Sequence, residues 1–417
     1  MGPVTLFDKS FLQSLSEDES VWFDNFFLTN VCPIFYVETL ADLEKKVRDD
    51  RTAEQEVGLI ADKFPEMNCH PNAYHALLCV GNLLGHEVPM RGHIQLPPGG
   101  RLVRSEMGIG FVHEPSPEAG AFSRWQNRDF AEVERLYARQ WRETLGCLDL
   151  AELASWYSSA GVSPKSCKTL LEAKIRAERI VESWEKSLDG MKAALACLNV
   201  SRAMSDQIVE FWQAIGHPPL STYAPFAAYV LTIEVFFGIA LAAKHISTDR
   251  VSNRTDIAYL FYLPFCRVFV SNDKLHRRCA HLFLRSDQEF VWGLDLKSDL
   301  SKLNEHYMQL PEETRSMHIT SFARVPPKDG DYLMAKLWDR HWPGWRQQKE
   351  DSTPRDPIED ARLVEELEKV AQAPSIEPGD LEPGVGGSEF MLFQSPVRIK
   401  KGSWWQLPKD LETEEDD

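Results

Sequence analysis

Four carboxylates in this chain stand where an α/β fold would gather them into one cleft. Asp8 follows the apolar run VTLF, Glu38 follows IFYV, Asp273 closes RVFVSND, and Asp256 opens the apolar segment IAYLFYL. The apolar runs ahead of Asp8, Glu38 and Asp273 read as buried strands. The carboxyl ends of parallel strands share one edge of their sheet, and that edge is where such sheets bind ligands. A carboxylate in the first turn of a helix is favoured by the helix dipole, so Asp256 is expected to face the same cleft. Four close carboxylates repel one another unless cations neutralise them. Hard oxygen donors with open positions suit Mg²⁺ or Mn²⁺. A site with one or two such ions can activate water and stabilise the leaving oxygen in phosphodiester cleavage. A single Asp after a strand has a plainer role, as a helix N-cap or turn residue. The ordered set of four is what points to chemistry.

The segment NRTDIAYLFYLPFCRVFVSNDKLHRR resembles the second half of a PIN domain, in which an acid begins an apolar helix and a buried strand then ends in a Thr/Ser-x-Asp turn. The opening VTLFDKSFLQSL is similar to the family's first strand, and FYVETLADL to the segment carrying its glutamate. The resemblance covers roughly residues 1–50 and 222–310. It implies a PIN-like parallel sheet flanked by helices and a metal-dependent nuclease, a hydrolase expected to act on RNA as an endoribonuclease ahead of DNA. Asp8 would bind or bridge the main metal ion, Glu38, Asp256 and Asp273 would complete the cluster, and Ser10 and Ser271 would support it. Lys9 stands where the family has a smaller residue, and far more chain separates Glu38 from Asp256 than in a minimal member. Two other readings stay open: a nuclease of single-stranded or branched DNA, and a catalytically silent PIN-like scaffold.

Beside Asp273 lies a basic cluster of Lys274, His276, Arg277, Arg278, His281 and Arg285. Lys274, Arg277 and Arg278 are expected to hold substrate phosphates; a solvated helix face is the alternative. Arg124, Arg128, Arg135, Arg139 and Arg142 recur at helical spacing with acids interleaved, which reads as a salt-bridged face ahead of a substrate contact. Cys69, His70, His75, Cys79, His86 and His93 are dense, but their spacing matches no standard zinc site. Glu234 sits mid-way along an apolar helix, as a paired buried carboxylate or a fifth acid of the site.

The elements that must position these residues form an α/β pattern with two additions. Residues 1–50 and 222–345 read as the core. VTLF and CPIFYV are expected strands, with helices at Ser10–Leu15 and Glu19–Phe27 between them and a helix opening at Glu38. After a buried helix, a helix Ile257–Leu263 stopped by Pro264, the strand Arg267–Ser271, a helix Lys274–Ala280, a strand Leu282–Leu284 and a helix Asp299–Met308 are expected. Residues 51–221 read as a large insertion, irregular over 64–120 and helical over 122–215. Residues 346–417 read as an acidic, partly disordered tail carrying a short helix, Ile358–Val370. Its aromatic residues, Phe390, Phe393, Trp404 and Trp405, are expected to dock on the body or on a protein partner.

Hydrophobic residues make up 43% of the 417 residues, enough for a large core and too many for a disordered chain. The net charge is −17, an unpromising sign for binding nucleic acid. Residues 350–417 hold 18 acidic against 7 basic side chains, however, leaving a net −6 on the first 349 residues. The eight cysteines form no CxxC pair, and no basic and apolar leader opens the sequence, so a reducing cytoplasm is the expected setting. Tyr223–Ala243 is long enough for a bilayer, yet Glu234 lies at its centre, so a buried helix and no membrane partner are expected.

Overall fold

The computed structural model describes residues 2–45, 51–106, 108–184, 187–347, 357–377 and 390–409. The short apolar runs become strands: β1 (Val4–Phe7), β2 (Leu28–Val31), β3 (Cys69–Pro71), β4 (Arg101–Ser105), β5 (Gly108–His113), β6 (Val268–Ser271) and β7 (Glu289–Trp292). Five of them form one sheet in the order β3-β2-β1-β6-β7, and every pairing in it is parallel. Helices cover both faces of a sheet of this kind, so its strands can be apolar throughout. Leu6, Phe7, Val268, Phe269 and Val270 are fully buried. The chain is therefore α/β, a parallel sheet flanked by helices.

The strand order creates a particular crevice. From β1 the chain moves outward to β2 and then β3. It returns to lay β6 against the other side of β1, with Thr5 opposite Val268 and Phe7 opposite Val270, and continues outward to β7. The reversal falls between β1 and β6. The crevice outside the carboxyl ends of two such strands is where open α/β sheets bind ligands. Asp8 follows β1 directly, and Asn272-Asp273 follows β6.

Several expected elements are corrected. CPIFYV is no strand: Pro33–Leu40 is a helix, with Cys32 at its N-cap position and Pro33 in its first turn. Pro is well suited to that place, having no N–H to leave unpaired. The strand is the preceding LTNV, whose polar side chains are buried and satisfied: Asn30 Nδ2 donates to the Phe265 carbonyl (3.0 Å) and Thr29 Oγ1 to that of Asn68 (3.0 Å). Glu38 consequently lies in the last turn of a helix and does not open one. Leu282–Leu284 is no strand either. A 3₁₀ turn spans Ala280–Leu282, Phe283 packs edge-on to Phe236, and the outer strand is β7. Asp256 belongs to the short helix Asn253–Ala258, which continues as a 3₁₀ segment, Tyr259–Phe265, with Pro264 inside it.

The segments outside the core supply strands as well as helices. Within 51–221, β3 joins the central sheet beside β2, and β4 and β5 form an antiparallel hairpin in a stretch expected to be irregular. Helices Leu150–Ser159 and Leu170–Trp184 pack on the helix Pro225–Ala242. That helix is long and apolar enough to cross a membrane by length and composition, and 14 of its 18 residues are buried in the core. From the tail, the helix Pro357–Gln372 is described, and Phe390–Phe393 pairs parallel to β5 as β8. Trp404 is fully buried, 4.7 Å edge-on from Trp22, and its Nε1 donates to Asn304. Of the expected partly disordered tail, 348–356, 378–389 and 410–417 lie outside the described residues.

Candidate functional site

Asp8 is the hub of the crevice. It caps the helix Lys9–Ser14, its Oδ1 accepting from the Phe11 amide at 3.0 Å, so the plainer role of a post-strand Asp is fulfilled. Its second oxygen does something more. Oδ2 accepts from Ser10 Oγ at 2.6 Å and from Ser271 Oγ at 2.8 Å, which ties the end of β1 to the end of β6. Ser10 and Ser271 thus both support Asp8. Asp273 caps the helix Lys274–Cys279 and accepts from the Leu275 amide, while its own amide donates to Ser271 Oγ at 2.8 Å.

His276 completes this arrangement, and its place is a correction. It belongs by sequence to the basic cluster beside Asp273 but is only 1% exposed. Its Nε2 lies 2.6 Å from the Asp256 carbonyl oxygen, which can only accept, so Nε2 carries a proton. Its Nδ1 lies 2.7 Å from Ser271 Oγ, whose own proton goes to Asp8, so Nδ1 must donate as well. The ring is an imidazolium 3.5 Å from Asp8 Oδ2. Burial opposes that charge, but the hydrogen bond and charge of Asp8, with Asp256 and Asp273 behind it, push the imidazole up to about 9. Burial likewise opposes ionisation of Asp8, and His276, Ser10 and the Phe11 amide more than offset it, holding the carboxyl below its ordinary value. A sequence signal for the buried ring did exist: in KLHRRC, Leu275, His276 and Cys279 turn inward together at helical spacing, while Lys274, Arg277 and Arg278 are exposed.

Glu38 reaches the same region from its helix. Its Oε2 accepts from Tyr259 Oη at 2.7 Å, and Oε1 lies 3.5 Å from Lys9 Nζ. Lys9 is itself buried and bonds Asp42 at 3.0 Å. Burial lowers the lysine's affinity for its proton, but Glu38 and Asp42 reverse the balance and raise it. Asp42 was not anticipated. It is 3% exposed and also takes Arg142 at 3.3 Å, which joins the arginine row to the site. Asp42 sits one helical turn beyond Glu38; nothing local announces that Lys9, 33 residues earlier, will meet it.

Asp256 is the least compensated acid. Burial first, then Asp273, Glu38 and Asp8, push its carboxyl up to about 7, against the opposing charge of His276. The other three expected acids therefore each act electrostatically on Asp256. As they stand, the carboxylates do not close on a single point: among the described residues no group of three or more His, Cys, Asp or Glu side chains is placed to hold a metal ion. The same holds for the cysteine and histidine cluster, where His70 packs on Phe393 and His75 on Tyr262. The donor chemistry at the crevice still fits a hard divalent cation, because oxygen ligands dominate and negative charge is in excess.

The other candidates resolve into plain pairings. Arg124 pairs with Glu134, Arg128 with Asp62, Arg135 with Glu54 and Arg139 with Glu44, so the arginine row is a salt-bridged face. Glu234 is held by Arg254 at 2.5 Å. Comparisons with protein-family models, with curated proteins and with solved structures give no match.

Proposed function

We propose that this chain is a PIN-like nuclease that uses Mg²⁺ or Mn²⁺ to hydrolyse phosphodiester bonds, with RNA as its substrate ahead of DNA. One observation supports the reading most: at the switch point of the sheet, burial and the charge of Asp273, Glu38 and Asp8 together raise Asp256 to about 7. Strongly perturbed carboxylates cluster at functional sites, and Asp256 is such a carboxylate. Asp8, Glu38, Asp256 and Asp273 would hold the cation, which when bound would activate water and stabilise the departing oxygen. Ser10 and Ser271 fix the Asp8 carboxylate, and the cap on Asp273 fixes the turn that carries it. Tyr259 orients Glu38. Lys274, Arg277 and Arg278, exposed on the next helix, would hold phosphates beside the acids.

A second reading has an observation of its own. His276 already gives Asp8 a cationic partner, as a catalytically silent scaffold would require. A cleavage panel on labelled single- and double-stranded RNA and DNA, with EDTA, Mg²⁺ or Mn²⁺, separates the two. The nuclease reading expects metal-dependent cleavage that falls at least a hundredfold in both Asp8→Asn and Asp256→Asn, with each variant folded. Equal turnover in either variant at limiting metal would overturn it, and no cleavage of any substrate would favour the scaffold.

A further inference from the structure

β7 ends in a tryptophan beside the crevice. Trp292 is the ladder partner of Ser271, the residue that bonds Asp8. Partners in a parallel ladder are neighbours roughly 5 Å apart and project their side chains to the same face. That face is the one on which Phe269, two residues before Ser271, packs against His276 and Phe290. Trp292 therefore stands on the same face as these rings, at the carboxyl end of the sheet beside Ser271. Its position is fixed from behind. A Cβ on the next residue, Gly293, would lie 2.6 Å from Asn272 Oδ1 and 2.8 Å from the Phe11 ring, so the glycine is what lets β7 close onto the turn carrying Asp273.

Trp292 is half-buried, and the guanidinium of Arg277 lies over its ring, 5.0 Å from the centroid. Arg277 is exposed and stands one helical turn beyond Asp273, about 5.4 Å along the axis. Lys274 and Arg278 share its exposed face. The result is a layered planar surface, indole below and guanidinium above, edged by cations and next to the acids. Tryptophan rings and arginine planes are the groups on which unpaired bases stack.

We infer that Arg277 and Trp292 form a base-stacking platform beside the acidic crevice, so that the strand recognised there is single-stranded nucleic acid with a splayed base. The inference rests on the nuclease reading for its setting and goes beyond it in naming the substrate class and the residues that select it. A duplex keeps its bases stacked on one another and offers the platform no free face except at its ends. Lys274 and Arg278 supply contacts to phosphate that any strand could use; the platform supplies the discrimination.

The test is binding measured by fluorescence anisotropy in EDTA, which prevents metal-dependent turnover. The probes are a labelled 12-mer RNA, the same sequence as DNA, the blunt duplex of each, and a single strand bearing abasic sites. Trp292→Ala is expected to weaken single-strand binding roughly tenfold or more, with the salt dependence unchanged. Trp292→Phe should restore most of the loss, and Arg277→Lys should keep the salt dependence but lose affinity. Duplex binding should be indifferent to Trp292→Ala. The abasic strand should bind the unaltered protein as weakly as the intact strand binds Trp292→Ala, a readout that no misfolded variant can imitate. Equal binding of intact and abasic strands by the unaltered protein would overturn the platform, as would an equal loss for single and double strands in Trp292→Ala. RNA and DNA arms that differ would place the preference between them. If the nuclease reading fails while the platform is right, single strands bind through Trp292 and none is cut; if only the platform fails, cleavage proceeds and Trp292→Ala cuts at the parental rate.

Discussion

Two buried clusters of charge lie at opposite edges of the same sheet, and they are built on different rules. At the amino-terminal edge, Asp24 accepts from the backbone amides of Glu66, Met67 and Asn68 at 2.6 to 2.9 Å. Glu66 is bonded in turn by Arg398 at 2.7 to 2.9 Å and by Gln126 and Gln406. Lys401 is buried between these acids and donates to the Phe64 carbonyl. Two acids meet two bases. Burial works against ionised Glu66, but Lys401 and Arg398 hold its carboxyl below the ordinary value. Asp24 stays raised by burial in spite of Lys401 and its three amides. At the carboxyl-terminal edge, Asp8, Glu38, Asp42, Asp256 and Asp273 meet Lys9, Lys45, His276 and Arg142. The amino edge fastens the tail to the body. The carboxyl edge sets five acids against four bases, so its charges are less evenly matched.

The largest expected effect sharpens that contrast. Lys401→Met removes one partner of a buried network and should destabilise the protein by about 3–5 kcal/mol. Asp256→Asn removes charge from a cluster that has too much and should leave stability at or above the parental level. Urea unfolding of the two variants side by side checks this; a large loss in Asp256→Asn with none in Lys401→Met would reverse the assignment of the two edges.

Next comes the response to cations. If the carboxyl edge takes a divalent ion, Mn²⁺ at a hundredfold excess over Kd should stabilise the fold by about 2.7 kcal/mol. The shift should shrink in Asp256→Asn and persist in Glu66→Gln. A melting temperature indifferent to both Mn²⁺ and Mg²⁺ would count against the metal.

A histidine buried near Arg254 gives a smaller effect. His75 follows β3 and bonds Tyr262 Oη through Nδ1 at 3.0 Å. Burial, aided by the charge of Arg254, lowers it to about 3. The unfolded chain takes up that proton near pH 6.5 and the folded chain only near 3, so the stability tied to neutral His75 is complete above 6.5 and drains away as pH falls from there. The slope should approach roughly 1.4 kcal/mol per pH unit, and His75→Asn should flatten it. Urea midpoints between pH 7 and 4.5 read it directly; identical slopes in parent and variant would assign the acid sensitivity elsewhere.

The smallest effect concerns the exposed cations. Arg278→Glu should lower the salt dependence of nucleic-acid binding by about one unit of slope if that side chain holds a phosphate. An unchanged slope would return Arg278 to the solvated surface, where its bond to the His245 carbonyl already gives it a structural use.

By itself, the sequence determined that Asp8 and Asp273 stand at the ends of buried strands, because VTLF and RVFVS are short, apolar and closed by turn residues, and those signals are local. It also determined a buried helix within Tyr223–Ala243, observed as Pro225–Ala242, because the run is too long for a strand and apolar almost throughout. It could not separate IFYV as a helix from IFYV as a strand. A run buried on every side has no periodicity to read, and here Phe35 is enclosed by Phe7, Phe64 and Phe122. LTNV carries no strand signal, because Thr29 and Asn30 look like surface residues until Asn68 and Phe265 pair with them. Tertiary structure alone decided the charge of the crevice. Whether His276 faces phosphate or Asp8, and whether Lys9 meets Asp42, depends on chain segments 33 to 268 residues apart that only the sheet order brings together. Ionisation responds to distance and burial, and neither is written in the order of the residues.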